Sequence, residues 1–232
     1  MASSRRTTEE GFATPAATVV SLAIAIVMIA AQARATMALR QAQADYRRSA
    51  AEMALDAAQT LAAADLVDGA RASLSSLQLD RRTISIRLEA EAAKLSLADA
   101  AKQDPGLFSS LGARNPNLVK AGLASLAQIA PVDPARIDTL DPSPKWRACG
   151  RSVLSPYGAA TAPARTPSPP QVQGHPGEVW RVLAISSDGW TDDRTVRITG
   201  GQTQTARVIY RSFRHEAPGA PSCPSPLAAH KV

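Results

Sequence analysis

The order of apolar and polar residues divides the chain into stretches of different character. From Gly11 to Ala33 no residue is charged, and the middle of that run, Val19 to Ala31, is strongly apolar. A helix of this length rises about 35 Å, enough to span a bilayer core. From Ala35 to Asp68 the pattern changes. Ala51, Ala54, Leu55, Ala58, Leu61, Ala62 and Leu66 recur at three- and four-residue steps, with Asp45, Arg47, Glu52, Asp56 and Gln59 between them. This predicts an amphipathic continuation of the same helix, from about Ala13 to Val67, stopped at Asp68-Gly69. The small residues in the stripe Ala51, Ala54, Leu55, Ala58 and Leu61 suit the close approach of a neighbouring helix, so the stripe is expected to bind other subunits.

Period-two alternation follows. Ile84, Ile86 and Leu88 oppose Ser85, Arg87 and Glu89, which predicts a half-buried strand. Pro105–Ala113 and Asn117–Ala130 read as short helices, with Asp104-Pro105 and Asn115-Pro116 as start signals and Gly112 as a stop. Between Pro131 and Pro176 lie ten of the seventeen prolines, and this stretch is expected to be an extended linker or surface loop. Strands return at Val179–Ile185, at Arg194–Thr199 and at Ala206–Phe213. The turns Ser187-Asp188-Gly189 and Gly200-Gly201 separate them. Three or four antiparallel strands with a long helix across them make an α+β fold. The tail from Glu216 to Val232, with four prolines and few large apolar residues, is expected to be loose.

Composition refines this picture. Apolar residues make up 45% of the 232, but aromatics only 4%. Alanine supplies much of the apolar count and buries little area, so long helices and one modest core are expected rather than a large enzyme interior. The net charge is +6, but the basic residues are spread out, and a nucleic-acid surface would need clustering. Cys149 and Cys223 have no CxxC spacing, which argues against zinc. Two readings fit them: one disulfide, if the soluble part sits in an oxidising compartment, or two buried thiols. His175, His215 and His230 have no partner at metal or triad spacing. No GxSxG, P-loop or Rossmann glycine pattern is present. Asp188, Asp192 and Asp193 fall in an expected loop, where they read either as a polar turn or as oxygen ligands for calcium. Neither an enzyme nor a cofactor is expected.

What precedes the apolar run is more specific. Met1 to Gly11 reads MASSRRTTEEG, a short polar leader ending in glycine, and Phe12 follows. This resembles the leader of type IV pilins and type II secretion pseudopilins. The resemblance implies that a prepilin peptidase cuts after Gly11 and methylates the new N-terminal Phe12, and that the apolar run survives as an inner-membrane anchor. Pro15 would then lie in the first helical turn, where its missing N–H costs little. Two features depart from the pattern. Glu9 and Glu10 offset Arg5 and Arg6, and Arg34, Arg40, Arg47 and Arg48 follow the run, so the positive-inside rule alone favours the opposite orientation. A cleaved secretory signal peptide ending near Ala31-Gln32-Ala33 or Ala33-Arg34-Ala35 is the other reading of the segment.

Most pilin-like subunits carry glutamate at the fifth position after the cut. Here that position is Ala16. A carboxylate inside the bilayer needs a partner, which the family supplies from the N-terminal amine of the subunit ahead. A subunit with nobody ahead has no use for it, so Ala16 fits a tip subunit. The segment Ile84–Ala100 resembles the signature of minor pseudopilin K. Glu91, Lys94, Leu95 and Leu97 match, whereas Ala93 replaces a glycine and Ser96 and Ala98 replace asparagines. In that family a helical insertion follows the signature. The resemblance therefore implies a leader at 1–11, a transmembrane part at 12–34 and a periplasmic pilin-like head at 35–232. The head would have a helical insertion at about 99–150, shortened by the Pro-rich linker at about 131–176. The implied function is to initiate or cap a pseudopilus tip with other minor pseudopilins, of I and J type. A minor pilin of a type IV pilus, or a periplasmic binding protein with a cleaved signal, are the alternatives.

Overall fold

The computed structural model describes residues 10–69, 76–79, 81–129, 132–160, 173–201, 205–215 and 223, with side chains from residue 17 onward. One helix, α1 (Glu10–Asp68), carries both the apolar run and the amphipathic stretch. The chain divides into two units after Ala50, and residues 51–232 form the larger. In the unit that ends at Ala50, Val19, Leu22, Ile24, Ile26, Val27 and Ile29 are all exposed. The helix is long and apolar enough there to cross a membrane.

The second unit is α+β. Its strands are β1 (Ser76–Leu79), β2 (Arg82–Ala90), β3 (Leu95–Ser96), β4 (Leu154–Ser155), β5 (Val179–Ser186), β6 (Trp190–Ile198) and β7 (Ala206–His215). Five of them form an antiparallel sheet, in the order β1-β2-β5-β6-β7 among the described residues. The short strands β3 and β4 pair in parallel within a helical layer. That layer comprises α2 (Leu97–Ala100), α3 (Pro105–Ser110), α4 (Pro116–Leu126), α5 (Ala135–Asp138) and α6 (Pro144–Val153). A long N-terminal helix whose C-terminal part packs on a small antiparallel sheet is the pilin-like arrangement expected.

Two apolar cores result. In one, Leu55, Ala58, Ala62 and Leu66 of α1 pack on Ile84, Ile86, Trp180, Val182, Ala184, Val196 and Ile198 of the sheet. Gln59 sits inside this contact and donates its side-chain N–H groups to the carbonyls of Val182 and Asp192, at 3.0 and 2.8 Å. The other core is confined to the helical layer, around Phe108, Leu123, Ile137, Trp146, Leu154 and their neighbours.

Several expectations change. The stripe Ala51, Leu55 and Ala58 is fully buried in its own head, Ala54 is half-buried at its margin, and only Leu61 is exposed. The stripe therefore does not offer a neighbour an apolar face. It is used up by the sheet, which is the larger apolar surface available within the chain. The stretch read as a linker contains α5, α6 and β4, with Trp146 and Cys149 wholly buried; its residues 161–172 lie outside the described ones. The prolines misled because Pro144 occupies the opening turn of α6, where the absent N–H removes nothing, as Pro105 and Pro116 do in the helices they were expected to open. Gly112 does stop a helix, with φ of 91°. Strand β6 begins at Trp190 rather than Arg194, and β1 adds a strand the alternation did not reveal.

Cys149 and Cys223 form a disulfide, with Cα atoms 5.1 Å apart and 74 positions separating them in sequence. It ties the segment beyond β7 to α6. A chain truncated near Ala35 is expected to be soluble and to melt cooperatively. Leu55→Ala in it should lower the unfolding free energy by about 2–4 kcal/mol in a urea titration, because the cavity left between α1 and the sheet cannot close. A loss below about 0.5 kcal/mol would show that α1 does not pack there.

Candidate functional site

The residues that resemble the minor pseudopilin signature come together where the helical layer meets the sheet. Backbone geometry sets this up. After β2 a single tight turn, Glu91–Ala93, redirects the chain into β3, and Ser96 then caps α2 by accepting from the Asp99 N–H at 3.1 Å. Glu91, Lys94, Leu95 and Leu97 are all buried. Leu95 and Leu97 enter the helical core, while Glu91 and Lys94 turn toward the sheet.

The seam between the layers is ionic. Lys94 Nζ lies 2.6 Å from Glu91 Oε1 and 2.8 Å from Glu89 Oε2, and it donates to the Arg151 carbonyl at 2.8 Å. Ser155 Oγ donates to the other oxygen of Glu91. Glu89 also meets Arg181, its direct cross-strand partner, at 3.3 Å. Arg181 grips Asp193 with two bonds, Nε at 3.0 Å and NH2 at 2.8 Å. Arg151 from α6 adds a bond to Asp193 at 3.0 Å and one to Thr195 Oγ1 at 2.8 Å, and its guanidinium lies 4.4 Å from the centre of the Tyr210 ring. Three carboxylates thus face three cations, all but Glu89 fully buried. Such a group is stable only when every member is paired.

Electrostatics follow from this packing. Burial opposes ionisation of Asp193, yet the two arginines hold its carboxyl down at about 2. Burial likewise acts against Glu89, and Lys94 and Arg181 outweigh it, so its pKa is lowered. Asp138, at the end of α5, behaves differently. Burial pushes its pKa up to about 6, the nearby Arg151 only partly offsets this, and the Asp193 carboxylate adds to the rise. Its Oδ1 is buried without a hydrogen-bond partner.

The other expected site residues are dispersed. Gly11, Phe12 and Ala16 lie in the first turns of α1, and their side chains, with residues 1–9, lie outside the described ones. Asp188, Asp192 and Asp193 do not share a loop. Asp188 sits in the β5–β6 turn with Arg82 at 2.9 Å. Asp192 faces α1, bonded by Arg194 at 2.6 Å and Arg211 at 3.2 Å. Asp193 faces the helical layer, and the calcium reading fails because strand geometry separates the two by a face. Among the described residues no group of three or more His, Cys, Asp or Glu is placed to hold a metal. His175 donates its backbone N–H to Glu178, His215 packs on the edge of Trp190, and His230 lies outside the described residues.

Arg151, Arg181 and Asp138 were not singled out from sequence. Arg181 stands on β5 and Asp193 on β6, so only the pairing of those two strands brings the charges together. No family model, curated protein or solved structure matches the chain.

The two aspartates give opposite pH signs. Asp193 titrates below its usual value, so its stabilisation is present above pH 3.8 and is lost as pH falls through about 2. Asp138 titrates above its usual value, so its contribution is complete below pH 3.8 and is lost as pH rises through about 6. Wild-type head should therefore lose stability relative to Asp138→Asn between pH 4 and 7 in thermal melts, and equal slopes would refute the assignment. Asp193→Ala should cost about 3–5 kcal/mol at neutral pH, since it leaves Arg181 and Arg151 buried without their shared counter-ion.

Proposed function

We propose that the chain is a structural minor pseudopilin, similar to subunit K, that initiates or caps the pseudopilus tip of a type II secretion system. The observation that carries this reading is the order of parts along the chain: a polar leader ending at Gly11-Phe12, then one helix with an exposed apolar stretch and an amphipathic end packed on an antiparallel sheet. A signal peptide would have no reason to continue as the packing helix of the head. In this reading the apolar stretch sits in the inner membrane and the head in the periplasm. The Cys149–Cys223 disulfide supports an oxidising location. Its partners are the I- and J-type minor pseudopilins and the prepilin peptidase. Because the sheet covers the stripe, the face of α1 left for neighbours carries Met53, Ala57 and Leu61, all exposed.

Pro15 adds a chemical reason for cleavage at Gly11. In a helix, the N–H of residue 15 would bond the carbonyl of residue 11. Proline has no N–H, so the carbonyl of the Gly11–Phe12 peptide keeps no helical partner and is free to be polarised by a peptidase. After cleavage Pro15 stands in the first turn, where it costs nothing.

Co-expression with a prepilin peptidase should yield a chain whose N-terminal residue is Phe12. Gly11→Val should stay full length, and Pro15→Ala should be processed more slowly. Protein sequencing that found a start near Arg34 or Ala35 would replace this reading with a cleaved signal peptide. Ala16→Glu tests the tip assignment. With no subunit ahead, the carboxylate has no amine to pair with, so secretion in a strain lacking the native copy should fall modestly or stay level. Better incorporation into the filament shaft would show an ordinary shaft subunit instead.

A further inference from the structure

Charge along α1 is sorted into two blocks. Residues 34–48 hold Arg34, Arg40, Arg47 and Arg48 against Asp45 alone, while residues 49–68 hold Glu52, Asp56, Asp65 and Asp68 and no cation. The acidic block is partly answered within the head: Arg194 pairs with Asp56 at 2.7 Å and Arg211 with Glu52 at 3.0 Å. All four arginines of the basic block are exposed, and none forms an ion pair among the described residues.

From these positions we infer that Arg34 and Arg40 bind the headgroups of anionic phospholipids. The inference rests on the reading of the apolar stretch as a membrane span. It holds for either orientation of the helix, because it depends only on distance from the apolar run. Arg34 is the first residue beyond Ala33, at headgroup level. Arg40 lies about 9 Å further along the axis, which a flexible arginine side chain and a screening length of about 8 Å bring into contact with the surface potential. Arg47 and Arg48 lie about 20 Å out, beyond that range. Lipid is favoured over an acidic protein segment because the charge begins directly at the end of the apolar run. A protein partner would give no reason for Arg34 to matter more than Arg48.

The test is native mass spectrometry of the full chain in detergent, with phosphatidylglycerol or phosphatidylcholine added. Wild type should retain phosphatidylglycerol in preference to phosphatidylcholine, with a preference that falls as salt rises. Arg34→Gln with Arg40→Gln should weaken it roughly ten- to thirty-fold, as expected for two cations at a lipid surface. Arg47→Gln with Arg48→Gln should leave it close to wild type. Equal retention of the two lipids, or an equal loss in both double variants, overturns the inference. The second of those results would show that the whole basic block, not its membrane-proximal half, carries the lipid preference. Alkaline extraction of the chain from membranes, measured separately, tests the span itself: release would defeat the membrane reading, whereas retention without lipid preference would defeat only the inference.

Discussion

Two successive aspartates on one strand hold three layers together. Asp192 and Asp193 are neighbours in β6, so their side chains leave opposite faces of the sheet. Asp192 is reached by Arg194 and Arg211, whose other contacts are Asp56 and Glu52 of α1. Asp193 is reached by Arg181 and by Arg151 from α6. Each carboxylate loses its water and is stable only because its arginines arrive together. A one-residue slip of β6 would exchange the two faces and leave both sets of ions unpaired, so these contacts fix the register more firmly than the apolar residues at the end of the strand do.

The two faces differ in kind. Against α1 the sheet presents an apolar core with an ionic margin, and Gln59 bridges two strand carbonyls inside it. Against the helical layer it presents the seam of Glu89, Lys94, Arg151, Arg181 and Asp193, while that layer keeps its own apolar core. Contacts of the first kind stabilise over a range of small displacements. Bidentate pairs such as Arg181–Asp193 tolerate few. The seam therefore fixes where the helical layer sits on the sheet, and the apolar cores supply most of the folding energy.

The helix and the strands with clean alternation were legible. The period in residues 51–66 gave most of the packing face of α1, though Leu61 is exposed and Gln59 is buried, and the alternation at Ile84–Leu88 and Val179–Ile185 gave two central strands. What that face packs against was not legible, because periodicity tells which side is apolar and not whether its partner lies in the same chain. Strand β6 was read late because Thr191-Asp192-Asp193-Arg194 looks solvated, and only tertiary pairing makes it interior. Helix α6 was hidden by proline content, although Pro144 stands in its first turn. Of the seam, Glu91 and Lys94 were the two residues singled out in the sequence. Their partner Glu89 is five positions from Lys94, but Arg151 and Arg181 depend on pairings between residues far apart in sequence.

The Cys149–Cys223 bond has a mechanical consequence. It closes a covalent loop that contains the end of α6 and all of β5, β6 and β7. Tension applied to the ends of the chain bypasses everything inside that loop. About 250 Å of extended backbone, at about 3.4 Å for each of the 74 positions, stays hidden from an outside pull while the bond is intact. The ion-paired strand β6 lies within the shielded length, and α1, β1 and β2 lie outside it. Under load the head would yield first where α1 packs on the sheet and where β2 pairs with β5, and the shielded strands would carry no tension until the sulfurs were reduced.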